Sequence, residues 1–116
     1  MSVRIVRTRS NEDVICDLYE VTTKEEPEKA IAFQMTEPYS VWIKYDEQQI
    51  EVEDENGDII NKTSSPEVRF EPWAPLSKER KLLVKLDEVI TAYETHPEVV
   101  EKYNDLVEAS NGRDAD

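Results

Sequence analysis

The stretch Lys81-Leu82-Leu83-Val84-Lys85-Leu86-Asp87-Glu88-Val89-Ile90-Thr91-Ala92-Tyr93-Glu94 leaves few folds open to this chain. Leu82, Val84 and Leu86 alternate with Leu83 and Lys85, and Val89, Thr91 and Tyr93 alternate with Ile90 and Ala92. A period of two with β-branched and aromatic enrichment predicts a strand on each side of Asp87-Glu88. That acidic pair interrupts the apolar run with neither Gly nor Pro, so the spacing predicts a sharp pinch and not a relaxed hairpin. The stretch speaks of architecture and assembly, and it names no reaction.

The same period runs through the rest of the chain. Val3 to Ser10 reads as a strand, Asn11-Glu12 as a turn, and Asp13 to Thr23 as a second strand. In the latter, Val14, Cys16 and Leu18 share one face and Ile15, Tyr19 and Val21 the other, which predicts burial on both sides. Lys24 to Lys29 is a solvated loop. Ala30 to Thr36 aligns Ile31, Phe33 and Met35. Glu37-Pro38 ends or bends that strand, because Pro lacks a ladder donor. Tyr39 to Tyr45 resumes the alternation. Glu67 to Leu76 begins as a strand that Pro72 and Pro75 confine to an edge or bulge, and Ser77 to Arg80 is a polar turn.

Residues 46–66 read as an inserted hairpin and loop: Asn56-Gly57 suits a tight type I′ turn, and Glu51, Glu53, Asp54, Glu55 and Asp58 make the insert strongly acidic. Charged side chains on such a hairpin protect an exposed edge. At residues 95–110 the pattern changes to helix. Thr95 and Glu98 have the spacing of a capping box, Pro97 fits the first turn, and Val99, Val100, Tyr103, Leu106 and Val107 form one stripe. Gly112 can terminate the helix, leaving 111–116 as a tail. The expected whole is a single, mostly β domain over residues 1–116, with about five core strands, the acidic hairpin and one C-terminal helix.

Charge and side-chain chemistry narrow the function. The net charge of −13 counts against general affinity for polyanionic nucleic acid and against anionic membranes, although the first ten residues carry Arg4, Arg7 and Arg9 and no acid. No apolar run approaches a membrane span. A single cysteine, Cys16, excludes an intrachain disulfide and suits a reducing cytoplasm. Within its strand pattern Cys16 reads as a small buried hydrophobe, not an activated thiolate. His96, the only histidine, has no second His or Cys at ligand spacing. Placing Gly57 at the sixth position of a calcium loop puts Val52 first and Thr63 twelfth, so both key ligands are missing. Asp13/Asp17 and Asp87/Glu88 are carboxylate pairs that chance supplies in so acidic a chain. The only glycines are Gly57 and Gly112, and neither a phosphate-cradling loop nor a nucleophile elbow is present. The sequence therefore predicts no catalytic residue, no metal, no cofactor and no enzyme. Trp42 and Trp73 are expected as core or interface anchors.

Val84-Lys85-Leu86-Asp87-Glu88-Val89-Ile90 resembles the second motif of Sm-like proteins, Ile-Arg-Gly-Asp-Asn-Val followed by an alternating strand, with aliphatic, cation, acid and valine in register. Val6 to Val21 resembles the first motif: an alternating strand, an Asn turn, then Val14, Cys16 and Leu18 where the family often has Val, Gly and Leu. As a whole the chain also resembles uncharacterised proteins of tailed phages that infect marine cyanobacteria, including Phe70-Glu71-Pro72-Trp73 and the C-terminal helix. The Sm-like resemblance implies a strongly bent five-stranded open barrel. It also implies strand exchange between subunits, here through Val68, Phe70, Leu82 and Val84 on one edge and Val89, Thr91 and Tyr93 on the other. Such pairing closes a homo-oligomeric ring of about five to seven copies. In the family such rings bind single-stranded RNA, and Lys85 would be the matching contact, with Arg4, Arg7 and Arg9 as further cations.

This chain also departs from the pattern. Cys16 and Leu86 stand where the family has glycines, Thr22 where it has the first-motif Asp, and the helix is C-terminal. A second register puts Glu37 and Tyr39 in the turn between strands. Two functional expectations follow. One is a ring for single-stranded RNA in post-transcriptional regulation. The other is a structural or protein-interaction ring that docks a basic protein on the acidic hairpin.

Overall fold

The computed structural model describes residues 2–44, 50–53, 59–62 and 67–114. The strands are β1 (Val3–Thr8), β2 (Asp13–Thr22), β3 (Ala30–Lys44), β4 (Ile50–Glu53), β5 (Ile59–Lys62), β6 (Glu67–Pro72), β7 (Lys81–Lys85) and β8 (Val89–Tyr93). A 3-10 turn, Leu86–Glu88, separates β7 from β8, where the acidic pair predicts a pinch, and a helix, α1 (Pro97–Asp114), closes the chain. Six strands form one antiparallel sheet in the order β6-β3-β2-β1-β8, with β7 also paired to β3. β4 and β5 pair with each other, Ile50 opposite Lys62 and Glu53 opposite Ile59. The expected Asn56-Gly57 turn between them lies outside the described residues.

The β1–β2 turn is made where the sequence places it. Asn11, at φ 65, sits in the left-handed region that Asn tolerates. Its N–H donates to the Thr8 carbonyl, and the Thr8 N–H donates to the Glu12 carbonyl, both at 3.0 Å.

β3 is the hub of the sheet. One edge pairs with β2 from Ala30 opposite Thr22 to Ser40 opposite Val14. The other edge is shared: β7 takes Ala32 to Thr36 and β6 takes Tyr39 to Lys44. The division falls at Glu37-Pro38. Glu37 is left-handed at φ 52 and Pro38 brings no N–H, so the strand bulges there. The chain between β6 and β7 leaves the sheet at this point and returns to it. The Trp73 N–H donates to the Pro38 carbonyl at 3.0 Å, and the Glu37 N–H donates to the Arg80 carbonyl at 2.7 Å. The edge that the resemblance assigns to Val68, Phe70, Leu82 and Val84 is therefore made by two strands, and the core sheet has six strands where about five are expected.

The alternation along β2 separates two apolar clusters. Val14 and Cys16 join Val6 and Met35 on the concave face, with Leu18, Trp73, Val84 and Val89 packed around them. Val84 and Val89 lie on opposite flanks of the sheet, so the sheet curls over this cluster. On the convex face, Ile15 joins Ile5, Tyr39 and Tyr103. Burying a side chain of this size contributes about 1.5–3 kcal/mol, so two faces of one strand anchor the fold.

α1 covers the convex cluster. Val99 and Val107 pack against it and Tyr103 is 2% exposed. The Tyr103 ring meets Tyr39 edge to face at 6.0 Å, and its hydroxyl donates to the carbonyls of Thr36 and Glu37 at 3.2 and 2.8 Å. The helix stripe is thus spent on the protein's own sheet. The helix bounds differ from the expected 95–110. Pro97 is the first helical residue, and the His96 carbonyl accepts from the N–H groups of Val99 and Val100, which places the cap at His96 and not at Thr95. Pro fits the first helical position because its fixed φ is already helical. At the other end the helix runs through Gly112 to Asp114, since a glycine permits a stop without imposing one.

Candidate assembly edges and basic end

Among the described residues, β8 hydrogen-bonds only to β1, and β6 and β7 only to β3. The outer edges of β8 and of β6–β7 therefore present backbone donors and acceptors with no partner strand among the described residues, a template for pairing with another chain. The residues expected at a subunit contact all lie on these strands. Their side chains are differently placed. Phe70, Val84 and Val89 pack on the two clusters, and Leu82 stands opposite the buried Met35. Val68 is half-buried, and Thr91 and Tyr93 are exposed. The large apolar side chains the edges do present are Leu83 on β7, 69% exposed, and Ile90 on β8, 58% exposed. Sequence reasoning missed both. For Leu83 the signal was there: it occupies the opposite phase to Leu82 and Val84, which face the core, whereas on β8 only Val89 packs inward and the alternation does not single out Ile90.

The four cations expected to contact RNA separate into two groups. Lys85 is exposed and directly precedes the 3-10 turn. The Arg9 N–H donates to the Glu88 carbonyl at 2.9 Å, so the β1–β2 turn sits against that same 3-10 turn. The fold thus brings the Arg9 and Lys85 positions to one end of the sheet. Arg7 is committed to Asp13, with Nε and Nη2 donating to its two carboxylate oxygens at 3.1 and 3.2 Å. That hydrogen bond, reinforced by the Asp13 charge, raises the Arg7 pKa. Arg4 donates to the Val3 carbonyl at 2.9 Å and lies 3.1 Å from a Glu94 carboxylate oxygen, beyond the far end of β8.

Other polar groups singled out from the sequence serve the fold. Asp17 accepts from the Ser2 N–H and the Tyr19 hydroxyl, both at 2.8 Å. Cys16 is fully buried, and desolvation pushes its thiol up to about 12, far from a reactive thiolate. His96 is exposed at the helix start. Trp73 packs on the concave cluster and its Nε1 donates to Glu12 at 3.3 Å, whereas Trp42 is 44% exposed. Among the described residues no three His, Cys, Asp or Glu side chains converge as metal ligands. No described helix is long and apolar enough to cross a membrane.

The sequence signals missed a second polar cluster. Arg80 donates to a Glu37 carboxylate oxygen at 3.2 Å and to the Tyr39 hydroxyl at 3.1 Å, tying the β6–β7 excursion to the bulge of β3. The Glu37 hydrogen bond raises the Arg80 pKa against the cost of desolvation. A cleft of about 730 Å³ lies between the start of β1, the end of β8 and α1, and Arg4, Glu94, Val100 and Glu101 are among its lining residues.

Neither a protein-family model nor a curated protein matches this chain.

Proposed function

We propose that this protein is an Sm-like subunit that closes into a ring of about five to seven copies through its two free sheet edges, and that the ring binds single-stranded RNA. The observation that carries the reading is the strand order. The first and last core strands pair, β3 carries both parts of the penultimate strand, and the two strands flanking the 3-10 turn are left as opposite outer edges. Closed cyclic pairing satisfies both edges at once. Arg9 and Lys85, at one end of the sheet, supply the cations for the RNA backbone.

The first experiment is light scattering coupled to size-exclusion chromatography at several concentrations. A concentration-independent mass of five or more copies is expected, and a monomer overturns the ring. The second is titration of a short fluorescent single-stranded RNA at two salt concentrations. Each phosphate contact contributes a slope of about −0.7 in log K against log salt, so Lys85→Ala is expected to weaken binding and flatten the dependence. Unchanged binding by Lys85→Ala removes that residue from the RNA site.

A second reading, a structural or protein-interaction ring without RNA, is favoured by a separate observation. Arg4 and Arg7 are paired within the chain, and the net charge is −13. No RNA binding by an intact ring is its expected result. Of the acidic hairpin expected to dock a basic protein, Glu51 and Glu53 lie on β4, while Asp54, Glu55 and Asp58 are outside the described residues. Neither reading calls for an enzyme.

A further inference from the structure

The bulge of β3 divides the outer border of the sheet, so β6 and β7 are separate edges. β8 is five residues long, the length of β7, and one copy of it cannot pair along both. In a ring closed through β7 and β8 the β6 edge is still open, and in a lone copy it has no partner strand among the described residues. Beside that edge lies an apolar groove of about 300 Å³. Val68 and Phe70 form its floor, and Lys102, Asp105 and Leu106 of α1 form its wall. Leu106 is 38% exposed and gives an occupant apolar surface to cover. On the opposite face of β6, Glu67, Arg69 and Glu71 are exposed and alternate in sign. An open edge with a pocket for alternate side chains is the arrangement that accepts an added strand. Backbone hydrogen bonds hold such a strand, and the side chains select it.

We propose that the β6 edge binds an extended segment of another protein with the pattern basic-apolar-polar-apolar-basic. In antiparallel register the segment stands opposite Glu71, Phe70, Arg69, Val68 and Glu67 in turn. Its two apolar side chains share the face of Phe70 and Val68 and enter the groove against Leu106. Its first and last residues meet Glu71 and Glu67, and its middle residue meets Arg69. Directly opposed side chains of an antiparallel pair lie about 5 Å apart, so opposite charges attract there and like charges repel. Arg69 already lies 3.0 Å from a Glu67 carboxylate oxygen, so a neutral residue opposite it suffices. The charge of α1 points the same way: between Pro97 and Glu108 it carries Glu98, Glu101, Asp105 and Glu108 against Lys102 alone. Together with the net charge of −13, this selects a basic segment over an acidic one. The inference rests on neither the ring nor the RNA reading.

The probe is a fluorescent peptide, Ser-Lys-Val-Thr-Val-Lys-Ser, titrated by anisotropy against wild type, Leu106→Ala and Glu71→Lys. Ser-Lys-Lys-Thr-Val-Val-Ser has the same composition without the pattern and serves as the control. Saturable binding of the patterned peptide is expected, with the control weaker by about tenfold or more. Leu106→Ala is expected to cost about fivefold through lost apolar contact, and Glu71→Lys about fivefold or more by turning attraction into repulsion. Amide chemical shifts should move from Glu67 to Glu71 and from Lys102 to Leu106, and stay in place on β8. Circular dichroism melts follow folding, and Glu71→Lys, at an exposed side chain, keeps the test decisive if Leu106→Ala proves unfolded. No binding by folded wild type at peptide concentrations up to about 1 mM overturns the proposal. Equal binding of the control, unchanged binding in both variants, or shifts on β7 and β8 instead of β6 each overturn it too. A ring that falls apart in both variants places a second copy on β6 and likewise overturns it. A monomeric wild type that binds the patterned peptide, with both variants weakened, sustains this site without the ring.

Discussion

Two residues hold the backbone where a side chain is a handicap. Glu37 at φ 52 and Ala74 at φ 114 both lie on the positive side, at opposite ends of the Pro38–Trp73 hydrogen bond. Glu37 is compensated by the hydrogen bonds that Arg80 and Tyr103 bring to it. Ala74 is exposed, and its Cβ adds strain of about 1–2 kcal/mol. Ala74→Gly is therefore expected to stabilise the protein by about 1 kcal/mol after the entropic cost of glycine, measured by urea denaturation. A destabilised variant would mean that the loop does not adopt this conformation. A second residue-scale expectation concerns alkali. Burial raises the Cys16 thiol from its usual 9.0 to about 12 and also raises the Tyr103 hydroxyl. Both groups ionise first in the unfolded chain, so their contribution is whole below pH 9.0 and declines as the pH rises toward 12. Denaturation midpoints at pH 7, 9, 10 and 11 should fall steadily above pH 9, and a flat profile would mean that both groups reach solvent.

At the scale of elements, α1 and the β6–β7 excursion meet on the bulge of β3. The Tyr103 hydroxyl serves two carbonyls at the bulge, and Tyr103→Phe strands them, at an expected cost of about 1–3 kcal/mol. Leu106, 38% exposed on the same helix, should tolerate alanine at a cost below about 1 kcal/mol, so paired melts separate the anchor from the bystander. These elements also show what the sequence discloses. The two faces of β2, the Asn11 turn and the pinch before Val89 are local, since period, turn chemistry and an acidic pair announce them. The division of β3 between β6 and β7 is not, because its left-handed residue is a glutamate and nothing in a single strand's pattern reports which partner lies across it. The candidate site divides the same way. Lys85 is legible as an exposed cation of an alternating strand. The neutralisation of Arg4 by Glu94 is not, because it depends on β8 pairing with β1.

At the scale of the whole molecule, the first and last strands of the sheet are neighbours: Ile5 stands opposite Tyr93 and Val6 opposite Ala92. The concave cluster likewise draws Val6 from β1 and Val89 from β8, with Val84 between them in sequence. Neither the sheet nor its core can therefore be completed by an N-terminal portion of the chain. During synthesis, at roughly 5–20 residues per second, β1 must wait on the order of 10 s for its final partner to leave the ribosome. Throughout that interval it carries an open edge, and the strand best able to fill it early belongs to another nascent chain on the same message.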